Sequence, residues 1–497
     1  MRASRWMAGS RARIFELRSG PRGFIAVRRA MLAAATFVLV ACAPTTSPTS
    51  SHSPVPSPSP TTDTTAGSIG AAQYRIEVPA AWNGTLFLYS HGYVAPGRIN
   101  LAADSPTKDI STWLLDNGYA IAGSSYSSTG WALEDAFRDQ IALLDLFDQR
   151  FSKPKRVIAW GGSLGGIVTA GLVQLYPDRF AGAIPICGVL AGGVATWNTG
   201  LDAAYAFKTV LAPSSSLQLV GITDPQANIQ LATQIFDSAS ATPAGQARIA
   251  LIAALGDLPG WFEPAGAPPA VGDYAAQAMA QARWESQVDF PFEFQYRAEL
   301  EKRAGGNPSW NTGVDYAHQL AISSDSAEVA ALYRAAGLDL ASDIRALNSG
   351  TRTTADPIAV AYLDRFISFD GNLKVPVLTM HTIGDGLVVP QQETAYADAA
   401  RAAGKQDLLR QLFVHRAGHC AFSSAETIVS IQVMIARIDT GSWGGPALAP
   451  GSLNSAALAL GDTYNQVGGF FKSPPAFENF TPGPYPRPFP KRSSAPP

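Results

Sequence analysis

Gly161-Gly162-Ser163-Leu164-Gly165-Gly166 is the stretch on which the fold turns. Just before it, Arg156-Val157-Ile158-Ala159-Trp160 reads as a buried strand, and just after it small and apolar residues run as a helix to about Tyr176. A serine on so sharp a strand-to-helix turn is held in strained backbone geometry with its hydroxyl exposed. Glycines two before and two after it remove the Cβ atoms that would clash between strand and helix. The turn also sets the Leu164 amide at a helix N-terminus, where developing negative charge is stabilised. A glycine-rich phosphate loop fits poorly, because the P-loop lysine and the G-x-G-x-x-G spacing are both absent.

Outward from this turn the chain alternates strands and helices. Tyr74–Val78, Thr85–Ser90, Tyr119–Gly123, Arg156–Trp160, Phe180–Ile186, Val375–Met380 and Leu409–Val414 read as strands, and 131–150 reads as a helix. That alternation predicts an α/β protein with a mostly parallel central sheet flanked by helices. From about Gly193 to Gly371 the sequence becomes helix-rich and interrupts the strand series. The economical reading is a large helical cap, 194–371, inserted between core segments 70–193 and 372–440. From Gly441 to Pro497 Pro, Gly and aromatics dominate; composition does not decide whether this tail packs along the body.

With Gly161, Ser163 and Gly165 matching a G-x-S-x-G elbow between strand and helix, the sequence resembles the α/β-hydrolase superfamily. The resemblance implies the α/β-hydrolase fold and a chain order of nucleophile, acid and histidine. Ser163 is the implied nucleophile. His419, in Ala417-Gly418-His419-Cys420 beyond the last core strand, is the implied base, preferred over His415, which reads as a packed strand residue. Asp385, in a Gly-flanked loop after 375–380, is the implied acid, whereas His381 reads as a strand-end residue. The segment Ser90-His91-Gly92-Tyr93 resembles the superfamily's His-Gly oxyanion loop, which implies the amide of Tyr93, or alternatively Gly92, as partner to that of Leu164. Cys187 and Cys420 could be oxidised together in an exported protein, bracing the histidine loop, although pairing cannot be deduced from sequence. The Cys-Ser arrangement of tannase-like esterases is absent, since Gly162 precedes Ser163.

The N-terminus reads as an export signal. Residues 1–29 hold eight Arg and one Glu, followed by a short apolar run from Ala30 to Ala41. Leu39-Val40-Ala41-Cys42 resembles a bacterial lipobox, which implies lipidation at Cys42; Arg28-Arg29 hints at a twin-arginine route. A Pro/Ser/Thr-rich tether is expected over 42–69. The expected location is the cell envelope or the medium, with membrane contact only through the lipid.

The 497 residues carry 37 Lys+Arg against 39 Asp+Glu, a formal charge of −2, and loss of residues 1–41 removes seven net positive charges to leave −9. An acidic mature chain argues against nucleic-acid partners. With 46% hydrophobic and 15% charged residues the chain can bury a large core. Three cysteines without paired spacing argue against a zinc site, and the triad needs neither metal nor organic cofactor.

The cap's Trp261, Phe262, Trp284, Phe290, Phe292, Phe294, Tyr296 and Trp310 suggest an apolar acyl or alcohol ligand, although each taken singly fits the cap's own core better. The expected activity is therefore carboxylic ester hydrolysis through an acyl-enzyme, on a small-molecule or polymer ester. A serine peptidase resembling the proline-iminopeptidase group is the alternative. It would want buried cap carboxylates for a free ammonium, and Glu285, Glu293, Glu299 and Glu301 read instead as solvated ion pairs with Arg297, Lys302 and Arg303. A non-catalytic envelope lipoprotein that binds a ligand or partner is the second alternative.

Overall fold

Strand sequences with apolar residues on both faces need cover on both faces, and that sets the architecture. The computed structural model describes residues 62–489. The expected export signal, Cys42 and all but the end of the tether lie outside the described residues. Strands β1 (Asp63–Ile69), β2 (Ala72–Val78), β3 (Thr85–Ser90), β4 (Ala120–Ser124), β5 (Arg156–Gly162), β6 (Gly182–Ile186), β7 (Val377–Gly384) and β8 (Leu409–Ala417) are joined near the end by β9 (Gln466–Val467), β10 (Phe471–Lys472) and β11 (Phe477–Glu478).

One nine-stranded sheet runs β1-β2-β4-β3-β5-β6-β7-β8-β11. The six strands from β4 through β8 pair in parallel, while β1, β2 and β11 are antiparallel to their neighbours. Successive residues of β3 serve opposite faces. Leu86 and Leu88 pack with Phe137 and Ile167 of helices Leu133–Phe151 and Leu164–Leu175, whereas Phe87 and Tyr89 pack with Leu114 and Ile428 of helices Lys108–Asp116 and Ser424–Thr440. This is the α/β-hydrolase fold that the elbow implied.

Between β6 and β7 the chain leaves the sheet for a run of helices from Gly193 to Arg365 with a core of its own, including Phe207, Phe290, Phe294, Tyr316 and Tyr333. A smaller cluster containing Ala191, Leu258, Trp284, Val389 and Tyr485 joins that helical block to the sheet. Among the described residues no helix is long and apolar enough to cross a membrane.

One expectation needs correction, and one open question is answered. The tether does not extend to residue 69. Asp63–Ile69 is a strand paired along its whole length with β2, from Asp63 opposite Val78 to Ile69 opposite Ala72. Composition hid this because Thr64 and Thr65 count as tether-like yet are β-branched, and Gly70 at φ +59° supplies the first position of a two-residue hairpin turn.

The C-terminal segment is structured through residue 489. It forms helix Pro450–Ala459, the β9-β10 ribbon and β11, then a strap in which Tyr485 is buried and Arg487 pairs with buried Asp202 at 2.6 Å. Pro482, Pro484, Pro486 and Pro488 of the strap sit after β11, where no ladder needs their missing N–H.

Candidate active site

The elbow closes on itself because β3 passes directly behind it. A Cβ on Gly161 would lie 2.3 Å from the Ser90 carbonyl oxygen, and one on Gly165 would lie 1.9 Å from the same atom. Only glycine fits at either position. Ser163, between them, has φ +58° and ψ −124°, a conformation that a residue with a side chain adopts only when its surroundings impose it. Its amide donates to the Ile186 carbonyl at 3.0 Å, and helix Leu164–Leu175 starts at the next residue. The side chain faces a cavity of about 130 Å³ whose walls include Tyr93, Leu164, Trp197, Phe292 and Tyr485.

Asp385 follows β7 directly and is fully buried. Its Oδ2 lies 2.8 Å from Nδ1 of His419, and its Oδ1 accepts from the amides of Leu387 and Val388 at 3.1 and 3.0 Å. Burial works to raise this carboxyl, but the charge of His419 and hydrogen bonds from His381 and His419 outweigh it and hold the group at about 2.

The histidine loop is fixed from two sides. Thr382 Oγ1 donates to the Gly418 carbonyl at 2.7 Å, and a disulfide joins Cys420 to Cys187 at the end of β6. Both half-cystines have positive φ, 41° and 52°, and both sulfurs lie against Gly162. Nε2 of His419 is 3.5 Å from Cys420 Sγ, and no hydrogen bond joins the imidazole to the Ser163 hydroxyl. Such bonds are commonly open in an enzyme without substrate.

Two residues change character from their sequence reading. His381 is no mere strand end: it is wholly buried, with Nδ1 3.0 Å from Glu393, Nε2 2.7 Å from the Val388 carbonyl and 3.6 Å from Asp385. Both ring nitrogens face acceptors, which only the doubly protonated ring can satisfy. Burial opposes that charge, but the bonds to Asp385 and Glu393 raise the group to about 10. Nothing in the local sequence marked this pair. His415, expected to be packed, is exposed beside Trp261 and Glu478, because its position in β8 points away from the core.

Behind the serine, His91 fixes the loop after β3. Its ring stacks on Tyr126 at 4.0 Å, with Nδ1 2.7 Å from the Gly92 carbonyl and Nε2 3.0 Å from that of Ser125. A Cβ on Gly92 would be 3.4 Å from that of Ser163, so this backbone borders the serine closely. Tyr93 and Leu164 share the serine's cavity.

The largest departure from the sequence reading is in the helical block. Glu285 and Glu293, expected as solvated ion pairs, are 1% and 6% exposed and line the serine's cavity together with Asp289, 9% exposed, and Arg297, 0% exposed. Glu285, Asp289 and Glu293 stand on two π-helical turns, Glu285–Asp289 and Phe292–Tyr296, a geometry often found at functional sites. Burial pushes Glu285 up to about 8. Burial also raises Asp289 and Glu293, with Glu285 adding to both and Asp385 to Asp289. The expected pairing fits Glu299 instead, which binds Arg303 at 2.7 Å and accepts from the Trp131 amide, while Glu301 accepts from the Gly221 amide. Of the cap aromatics, each of which taken singly fitted the cap's own core better, Phe290 and Phe294 do belong to that core, whereas Phe292 lines the cavity.

A sheet of this order with a serine elbow at the end of a central strand defines an α/β-hydrolase, and the comparisons place the chain among the serine hydrolases. A family model described as the prolyl oligopeptidase family matches residues 121–210, which include the elbow. An o-phthalyl amidase from Xanthobacter agilis is 30% identical over 421 residues, 78% of this chain and 89% of that protein. The chain belongs to the family of that amidase within the α/β-hydrolase superfamily. Solved structures similar to it include an esterase from Aspergillus oryzae, 13% identical with TM-score 0.39 over 76% of this chain and 79% of that one. Another is an acylaminoacyl peptidase from Pyrococcus horikoshii, 10% identical with TM-score 0.35 over 72% of this chain and 38% of the other.

Proposed function

We propose that this serine hydrolase cleaves the amide of a small acyl group through Ser163, His419 and Asp385. The observation that carries the reading is the 2.8 Å pair between His419 Nδ1 and buried Asp385, held by a disulfide beside a serine at φ +58°. With Nδ1 engaged, Nε2 is the nitrogen left to take the serine proton. Ser163 Oγ then attacks the carbonyl carbon, the amides of Leu164 and Tyr93 hold the oxyanion, and the imidazolium returns its proton to the leaving amine. Water, deprotonated by His419, releases the acyl group and regenerates the serine.

The amide is favoured by the similarity to the o-phthalyl amidase, which extends over most of both chains. Carboxylic ester cleavage is the second reading. It uses the same residues, and the aromatic cavity walls suit an apolar ester as well. Export with lipidation at Cys42 is part of the proposal. Its support is the lipobox-like sequence and a disulfide of the kind that persists in oxidising compartments.

The test is turnover of matched aryl-acyl p-nitroanilides and p-nitrophenyl esters by the protein and by its Ser163→Ala variant. Serine-dependent anilide cleavage supports the amidase. Ester cleavage alone moves the assignment to the second reading, and turnover that survives Ser163→Ala refutes the triad as assigned.

A further inference from the structure

Glu285, Asp289 and Glu293 recur every four residues, which places them on one side of a helical segment, and that side faces Ser163 across the cavity. Each is more than nine-tenths buried. Both oxygens of Glu285, Oδ2 of Asp289 and Oε2 of Glu293 have no hydrogen-bond partner.

The neighbouring cation acts on Glu293 by its charge but hydrogen-bonds none of the three. Arg297 spends Nη1 on Ser309 Oγ and Nη2 on the Trp197 carbonyl, at 3.0 and 3.1 Å, and its guanidinium lies over the Trp197 ring. Nε alone is left without a partner. The wall therefore offers four unpaired oxygens against one unpaired N–H, in a cavity that Ser163 also lines.

We infer that this wall is a subsite for a protonated primary amine carried by the substrate, bound by Glu285, Asp289 and Glu293 while the adjoining acyl carbonyl sits at Ser163. The inference rests on the hydrolase reading above and narrows its substrate to acyl groups that bear an ammonium. A buried carboxylate is tolerated when an opposite charge and hydrogen bonds compensate it, and an ammonium brings one positive charge and three N–H donors. A neutral ligand of the same size leaves the oxygens uncompensated. Burial keeps these carboxyls raised in the cavity, and an ammonium favours their ionised form whereas an anionic ligand opposes it. Ser163 and the residues directly after Asp385, Gly386 and Leu387, line the same cavity as the acids, so the amine belongs close to the scissile bond.

Three probes of one shape and different charge test this: benzylamine, benzyl alcohol and benzoate. Their binding is measured by calorimetry on the parent and on Glu285→Gln/Asp289→Asn. In parallel, each probe is scored for slowing fluorophosphonate labelling of Ser163, relative to the same protein's unprotected rate. The expected result is benzylamine binding at least tenfold tighter than benzyl alcohol in the parent, with that advantage falling below threefold in the variant, and benzoate weakest. Equal binding of amine and alcohol, preference for benzoate, or an advantage that survives the double substitution overturns the subsite. If benzylamine binds with the expected preference but Ser163 is never labelled, the subsite stands and the hydrolase reading falls.

Discussion

Replacing Glu285 by glutamine should make the protein more stable, and more so as pH rises. The carboxyl is pushed from 4.5 to about 8 by burial. A group raised in the folded state holds its proton there over a range in which the unfolded chain has released it. Stability therefore falls as pH climbs from the unfolded value through the folded one. At pH 7 the gap of about 2.5 units between 4.5 and the ambient pH, at about 1.4 kcal/mol per unit, sets roughly 3 kcal/mol against folding. Glutamine has nearly the same shape and no proton to lose, so Glu285→Gln should recover that amount at pH 7 and almost none near pH 4. At about 2 cal/mol/K of unfolding entropy per residue, the gain is a rise of roughly 3–4 °C in Tm. Asp289 and Glu293 are themselves raised in part by Glu285, so relieving them adds in the same direction. Thermal unfolding of parent and variant at pH 4, 5, 6 and 7 is the assay. Parallel pH curves, or a variant less stable than the parent at pH 7, would refute the claim that this carboxyl is buried at a cost. A gain in stability together with a loss of amine preference would mark the cost as one kept for binding.

Other outcomes follow from the same geometry. Asp385→Asn should lower kcat by about 10³–10⁴-fold. Because the native carboxyl is held down at about 2, it favours folding above pH 4 by on the order of 2 kcal/mol, lost as pH falls toward 2; urea unfolding at pH 7 and pH 3 should show that dependence in the parent and not in the variant. Arg487→Met leaves Asp202 buried without its cation and should cost about 3–5 kcal/mol, whereas Arg487→Met/Asp202→Asn should recover most of it, read by denaturant midpoints. Gly165→Ala sets a methyl 1.9 Å from the Ser90 carbonyl oxygen and should abolish most Ser163 labelling, because either the elbow or β3 must move. Removing the disulfide, which closes a sequence separation of 233, should cost up to about 5 kcal/mol by chain entropy and loosen the His419 loop, measured as Tm and kcat of Cys187→Ala/Cys420→Ala.

How much of this was legible in the sequence depends on how local each feature is. The elbow could be read because strand, turn and helix adjoin within residues 156–176, and the glycines report a close approach whose partner need not be known. Asp385 and His419 could be read from chain order once the elbow had suggested a fold. The buried acids could not, although Glu285, Asp289, Glu293 and Arg297 stand at four-residue intervals in plain view. Charge spacing on a helix is the same whether that face meets water or a cavity, and the bases that seemed near are committed elsewhere: Arg303 to Glu299 and Asp135, Arg297 to Ser309 and Trp197. His381 and Glu393 were hidden for a related reason, since β7 and the helix after it bring them together only once both pack on the sheet. The strand at 63–69 was misjudged, and the C-terminal strap left undecided, because composition averages over residues, while pairing depends on which of them meet an open sheet edge.

The strap also bears on the order in which the cavity is completed. Residues 477–489 are made after nearly everything they touch, yet β11 completes the sheet edge, Tyr485 supplies part of the wall facing Ser163, and Arg487 reaches back to Asp202. A chain in which they have not docked holds Ser163, Asp385 and His419 but an unfinished chamber around them. Among the described residues the chamber is thus closed by a segment distant in sequence from the elbow, and its shape is set only once residues 477–489 have docked.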